Sequence, residues 1–134
     1  NMNVVAGIAP VRRYLQEGLH VGLGSDVAGG ATENLFTAMM HAIQASKLRW
    51  RLVDDTLAPL TAPEVFFMAT KGGGELFGKV GSFEKDYEFD AVILDDSHIP
   101  DQEGLTIAER LERFIYLNQE ADVKAKYVAG EQVL

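Results

Sequence analysis

The apolar positions switch period along the chain. In "GIAPVRRYLQEG" (7–18) Val11, Tyr14 and Leu15 share one helical face. Pro10 stands near the first turn, where its missing N–H is no loss, and Gly18 is the expected stop. "HVGLG" (20–24) predicts a short strand, with Val21 and Leu23 pointing one way and Gly22 and Gly24 leaving the other face bare. Leu35, Phe36, Met39, Met40 and Ile43 then carry a wide apolar stripe at helical spacing. Thr32 is the expected cap of that helix, with Glu33 and Asn34 in its first turn. The helix continues or breaks across 46–60 and becomes loop near Pro59. Thr61 is the expected cap of a further helix over 62–78, in which Val65, Phe66, Met68 and Ala69 face inward and Gly72, Gly73 and Gly74 interrupt the run.

Beyond residue 79 the pattern turns strand-like. "KVGSF" and "EFDAVILDD" (88–96) read as extended, and the weak alternation in AVIL predicts a strand covered on both faces. "TIAERLERFIYLNQ" (106–119) is an amphipathic helix with Ile107, Leu111, Phe114, Ile115 and Leu117 inward, and 122–134 reads as two short strands around Ala129–Gly130. Fold class α/β follows: the tail of an alternating βα fold over 1–78, then a β-rich segment with one helix over 79–134. The strand at 20–24 has no expected sheet partner within 1–78. That, and an opening "NMNVVAG" with Asn before Met, are what a fragment of a longer protein would show.

Charge and composition narrow the classes of function. The 134 residues are 47% hydrophobic, enough for a packed core, and carry a formal charge of −8. Such a balance disfavours a nucleic-acid partner, which requires a basic surface, and an anionic membrane surface for the same reason. No apolar run approaches the roughly 20 residues that cross a bilayer. Cysteine is absent, which removes disulfides and thiolate metal sites, and a cytoplasmic setting is expected.

The candidate chemistry lies in "HVGLGSDVAGG" (20–30). If 20–24 is a parallel strand, Asp26 stands at its C-terminal end, where α/β barrels place their reactive groups. The neighbouring glycines allow a sharp turn and leave room beside the carboxylate. A carboxylate there can bind zinc through one oxygen or take a proton from a metal-activated water. The same residue types also suit an ordinary turn or helix cap. A complete metal site is not expected within this chain. His20 and Asp26 lie roughly 20 Å apart along an extended strand at ~3.3 Å per residue. His41 sits mid-helix and reads as a core or helix-edge residue, and His98 reads as a solvated loop residue. No H-x-H, H-E-x-x-H or cysteine pair is present. "KGGGELFGK" (71–79) lacks the ending of a phosphate-binding loop and reads as a helix break with tight packing. "VDD" (53–55) and "LDD" (94–96) read as surface turns, and "RWR" (49–51) as a helix face with snorkelling arginines.

"AGIAPVRRYLQEGLHVGLGSDVAGG" (6–30) resembles the metal-dependent amidohydrolases, and among them the guanine deaminases. "LTAPEVFFMATKGGGELFGKVGSFEKDYEFDAVILDD" (60–96) resembles the stretch that follows in that family. The resemblance implies the C-terminal portion of a (β/α)8 amidohydrolase barrel, its last strand and helices, over 1–78, followed by part of a small β-sandwich-like domain over 79–134. It implies that Asp26 binds zinc, one per active site, and shuttles a proton from the attacking water. Guanine would then lose its amino group as ammonia and become xanthine, in a cytoplasmic homodimer. Asn1 and Asn3 would lie just after the seventh strand, within reach of substrate. The family's histidine ligands have no counterpart in these residues, so the chain by itself is expected to hold no catalytic metal and to be inactive. Two other readings stay open: an amidohydrolase acting on another aminated or chlorinated ring, and a non-catalytic interaction domain with a degenerate barrel end.

Overall fold

The computed structural model describes residues 3–134. Its elements in chain order are α1 (Val11–Gln16), α2 (Leu35–Leu52), α3 (Ala62–Ala69), α4 (Lys71–Gly74), β1 (Ala91–Leu94), α5 (Ile107–Leu117), β2 (Val123–Val128) and β3 (Glu131–Gln132). Short 3-10 turns follow α4 and α5.

Capping fixes where the helices start. Glu64 Oε2 accepts from the backbone N–H and the hydroxyl of Thr61, both at 2.8 Å. Glu109 does the same for Thr106 at the head of α5. Each is the reciprocal T-x-x-E arrangement that satisfies otherwise unpaired donors. The cap of α2 is Asn34, not Thr32: Asn34 Oδ1 accepts from Phe36 N and Thr37 N. Thr32 Oγ1 instead accepts from Asn34 N, which sets the turn before the helix. The helix then runs unbroken through 46–52, where a break was open.

The core is built from α2, α3 and α5. Met39, Ile43, Leu60, Ala62, Val65, Met68 and Ile115 form one buried cluster, with Val11, Leu15, Val21 and Leu23 packed against it. Phe36 meets Phe114 edge-on at 4.9 Å between ring centroids. Asn34 Nδ2 donates to Asn118 Oδ1, tying the start of α2 to the end of α5. The core therefore crosses the boundary expected near residue 79, since α5 supplies its central Ile115. Three inward expectations fail: Phe66, Ile107 and Leu117 lie off the buried stripes and are exposed in large part.

A bidentate pair anchors α1. Arg12 Nη1 and Nη2 donate to Glu64 Oε1 and Oε2 at 2.5 and 2.8 Å. The same guanidinium reaches Ala58 O and Pro59 O. Together these contacts lock α1 to the loop before α3.

The sheet of the described residues is antiparallel, in order β1-β2-β3. Ala91 opposes Tyr127 and Ile93 opposes Ala125, and the register shifts between Ile93 and Leu94. The turn between β2 and β3 is Ala129–Gly130, both with positive φ (50° and 84°), the twist that two-residue hairpins favour. "KVGSF" forms no strand. β1 is not covered on both faces, because Val92 and Ile93 remain about half exposed. The expected strand at 20–24 does not form: the segment adopts no regular element and joins no ladder among the described residues. A backbone bond joins it to the end of α3, Leu23 N donating to Met68 O at 2.9 Å. A ladder needs a second strand, and the one supplied here is the end of a helix.

Candidate active site at Asp26

The end of segment 20–24 is positioned by close backbone packing. A Cβ on Gly22 would lie 3.1 Å from Gly73 Cα, so Gly22 lets the segment press against α4. The glycine run at 72–74 is thus a site of close approach, as expected, but it is not the helix break: the interruption falls at Thr70, and the glycines themselves form α4. The chain then enters Ser25 and Asp26, whose φ of 52° is left-handed, a region Asp tolerates better than most residues. Gly30 N closes the turn by donating to Asp26 O.

Two glycines are dictated by this turn. A Cβ on Gly30 would overlap Ser25 O, and one on Gly29 would lie 2.8 Å from Asp26 Oδ2. Gly29 therefore keeps the space beside the carboxylate clear. Asp26 itself is exposed.

Asp26 lies on a cleft of about 370 Å³, together with Asn3, Ser25, Thr32, His41 and the small face of α2 formed by Ala38, Ala42 and Ala45. His41 is half-buried on that face and does not join the core. Its helical phase carries the signal: it sits three residues after Ala38 and four before Ala45, away from the Met39–Ile43 core stripe. Asn1, the other residue placed near substrate, lies outside the described residues.

The remaining histidines are elsewhere. His20 Nδ1 is 2.7 Å from Glu75 Oε2, at the opposite end of the segment from Asp26. His98 is not simply solvated: its Nδ1 is 3.2 Å from Asp122 Oδ1. The paired acids also have partners. Asp54 accepts from the hydroxyl and N–H of Thr56, bonds that hold its carboxyl below the usual range. Asp96 takes a bidentate grip from Arg110. In "RWR", Arg49 donates to Ile8 O and Trp50 Nε1 to Asp55 O, so this helix face ties down flanking loops.

Among the described residues no three His, Cys, Asp or Glu side chains converge as a metal site. The donor set fits one carboxylate ligand, Asp26, with room beside it kept by Gly29. It does not fit a complete zinc centre, which needs three or four protein ligands. No helix of the described residues is long and apolar enough to cross a membrane.

The amidohydrolase family profile matches residues 1–133. The chain belongs to the amidohydrolase family. The guanine deaminase of Homo sapiens is 32% identical over 146 residues, which cover 100% of this chain and 32% of that protein. A crystal structure of guanine deaminase from C. acetobutylicum, with guanine bound in its active site, superposes with a TM-score of 0.93 at 45% identity. It covers 100% of this chain and 32% of its own. A triazine hydrolase variant gives a TM-score of 0.72 at 27% identity, covering 96% of this chain and 28% of its own. The chain thus spans about a third of the length of these relatives, and its mixed α/β structure matches the C-terminal part of a guanine deaminase.

Proposed function

We propose that this chain is the C-terminal part of a zinc-dependent guanine deaminase, in which water replaces the amino group of guanine to give xanthine and ammonia. The observation that carries this reading is the match over the whole chain to a guanine deaminase at 45% identity and a TM-score of 0.93. Residues 1–78 are then the end of the metal-dependent hydrolase barrel, with 20–24 as its last strand. Residues 79–134 belong to a small β-sandwich-like domain. A homodimer working in the cytoplasm on a purine base goes with this reading.

The chemistry assigned to this chain rests on Asp26. Zinc, when bound, would make water a nucleophile near neutral pH. Asp26 would offer it one carboxylate oxygen. The other oxygen would accept a proton from the attacking water and return it to the departing amine, as a general base that becomes a general acid. The balance is closed: one C–O bond forms, one C–N bond breaks, and the water's protons leave with ammonia and the xanthine ring. Gly29 supports this role by leaving the carboxylate accessible. Asn3 lines the same cleft, which supports a contact with the substrate.

The likeness to a triazine hydrolase variant favours a second reading within the family, an aminated or chlorinated ring other than guanine. The test is ammonia release by a protein spanning the relatives' full length, with zinc supplied, on guanine and on amino- and chlorotriazines. Guanine should be preferred, and Asp26→Asn should abolish turnover while leaving the fold intact. Preference for a triazine supports the second reading. No hydrolysis of any ring supports a non-catalytic interaction domain.

A further inference from the structure

We propose that Gly73 is a positioning residue for Asp26: its bare Cα and the carbonyl of Met68 form a seat that fixes the chain at Leu23, three residues before the carboxylate. This rests on the deaminase reading, in which Asp26 takes the proton of the attacking water. The end of α3 supplies the seat. The last four carbonyls of a helix have no partner within it. Thr70 breaks the helix and takes two of them, its hydroxyl donating to Phe66 O at 2.8 Å and its N–H to Phe67 O at 3.2 Å. Met68 O, the next in line, accepts from Leu23 N at 2.9 Å.

Gly73 faces that same bond. A Cβ on Gly73 would lie 2.9 Å from Met68 O, closer than such a carbon comes to an oxygen, and 3.9 Å from Gly22 Cα. A Cβ on Gly22 would in turn lie 3.1 Å from Gly73 Cα and 3.9 Å from Met68 O. Two glycines thus meet beside the acceptor of Leu23, and a methyl group on either one presses on the bond. Past Leu23, residues 24 and 25 make no backbone hydrogen bond among the described residues, and the next is the turn that Gly30 N closes on Asp26 O. A shift at Leu23 therefore passes to Asp26 with no intervening backbone bond to absorb it. Gly73 carries no reacting group, so its effect on the reaction is one of geometry.

The measurement compares Gly73→Ala with the parent in a protein spanning the relatives' full length, with zinc supplied. Expected are a kcat for guanine lower by about 10–100-fold, a KM within about threefold of the parent's, and a Leu23 amide that exchanges with deuterium about tenfold faster. Ile115→Val, a core change on α5, should keep the parent's kcat. An unchanged kcat or an unchanged Leu23 exchange overturns the proposal. So does an equal fall in Ile115→Val, which would mark a general loss of packing. Should Gly73→Ala fail to fold, Gly22→Ala meets the same bond from the other side, and parent-like turnover there refutes the seat. If the parent releases no ammonia from guanine, the deaminase reading fails on its own. Zinc retained on dialysis then reads the placement of Asp26: Gly73→Ala should retain less than the parent, and equal retention overturns the positioning.

Discussion

Glu64→Gln separates the charge of the Arg12–Glu64 pair from its shape. Glu64 is held well below its ordinary 4.5, at about 2, chiefly by the Arg12 guanidinium and then by the Thr61 N–H and hydroxyl, against an opposing effect of burial. A drop of that size corresponds to about 3 kcal/mol of extra stability for the ionised form in the folded state. The glutamate side chain is 32% exposed, and solvent screening reduces the figure to about 2 kcal/mol. Because the folded-state value is the lower one, this contribution is present above about pH 5 and is lost as pH falls toward 2. More than half is gone by pH 3. Glutamine keeps an oxygen for Thr61 N but leaves the guanidinium of Arg12 facing a neutral group. Urea unfolding at pH 7 should show the variant about 2 kcal/mol less stable, with an unchanged slope, and the deficit should shrink by at least half at pH 3. A variant within 0.5 kcal/mol of the parent at pH 7, or a deficit independent of pH, would refute the argument.

Asp26→Asn in a protein spanning the relatives' length should lower kcat for guanine by about 10²–10⁴ with unchanged circular dichroism, since it removes the proton acceptor; retained turnover would remove Asp26 from the chemistry. Gly22→Val should destabilise by about 1–3 kcal/mol, because the new Cβ would meet backbone 3.1 Å away at Gly73, as read by denaturant midpoint. Ile115→Ala should cost about 3 kcal/mol, since its side chain is fully buried between three helices, and a loss under 1 kcal/mol would mean the core does not cross residue 79. The 134-residue chain alone, dialysed against zinc and assayed by atomic absorption, should retain less than one equivalent, because Asp26 offers one ligand where three or four are needed.

What the sequence showed was local, and what it hid was nonlocal. Thr61 and Thr106 were legible as caps because each has a glutamate three residues on, and both capping boxes formed. Thr32 lacked that glutamate, and the better-placed Asn34 took the role. The apolar stripe of α2 identified Met39 and Ile43 correctly, yet Phe66, Ile107 and Leu117 stand off their buried stripes despite their hydrophobicity. The ion pair of Asp96 with Arg110 and the contact of His98 with Asp122 span 14 and 24 residues, beyond what any helical or strand period encodes. AVIL composition signalled a strand at 91–94 but not how many of its faces would be covered.

Asp26 was legible for a different reason: its placement is written in glycines. An apolar run ending in Gly-Ser-Asp and followed by Gly-Gly specifies a backbone turn that other residues cannot make. The structure shows which atoms impose it, Ser25 O at Gly30 and the Asp26 carboxylate at Gly29. Upstream, Gly22 on Gly73 and the Leu23–Met68 bond hold the segment against the α3–α4 corner. The carboxylate is thus presented by contacts internal to residues 22–73, without a strand ladder.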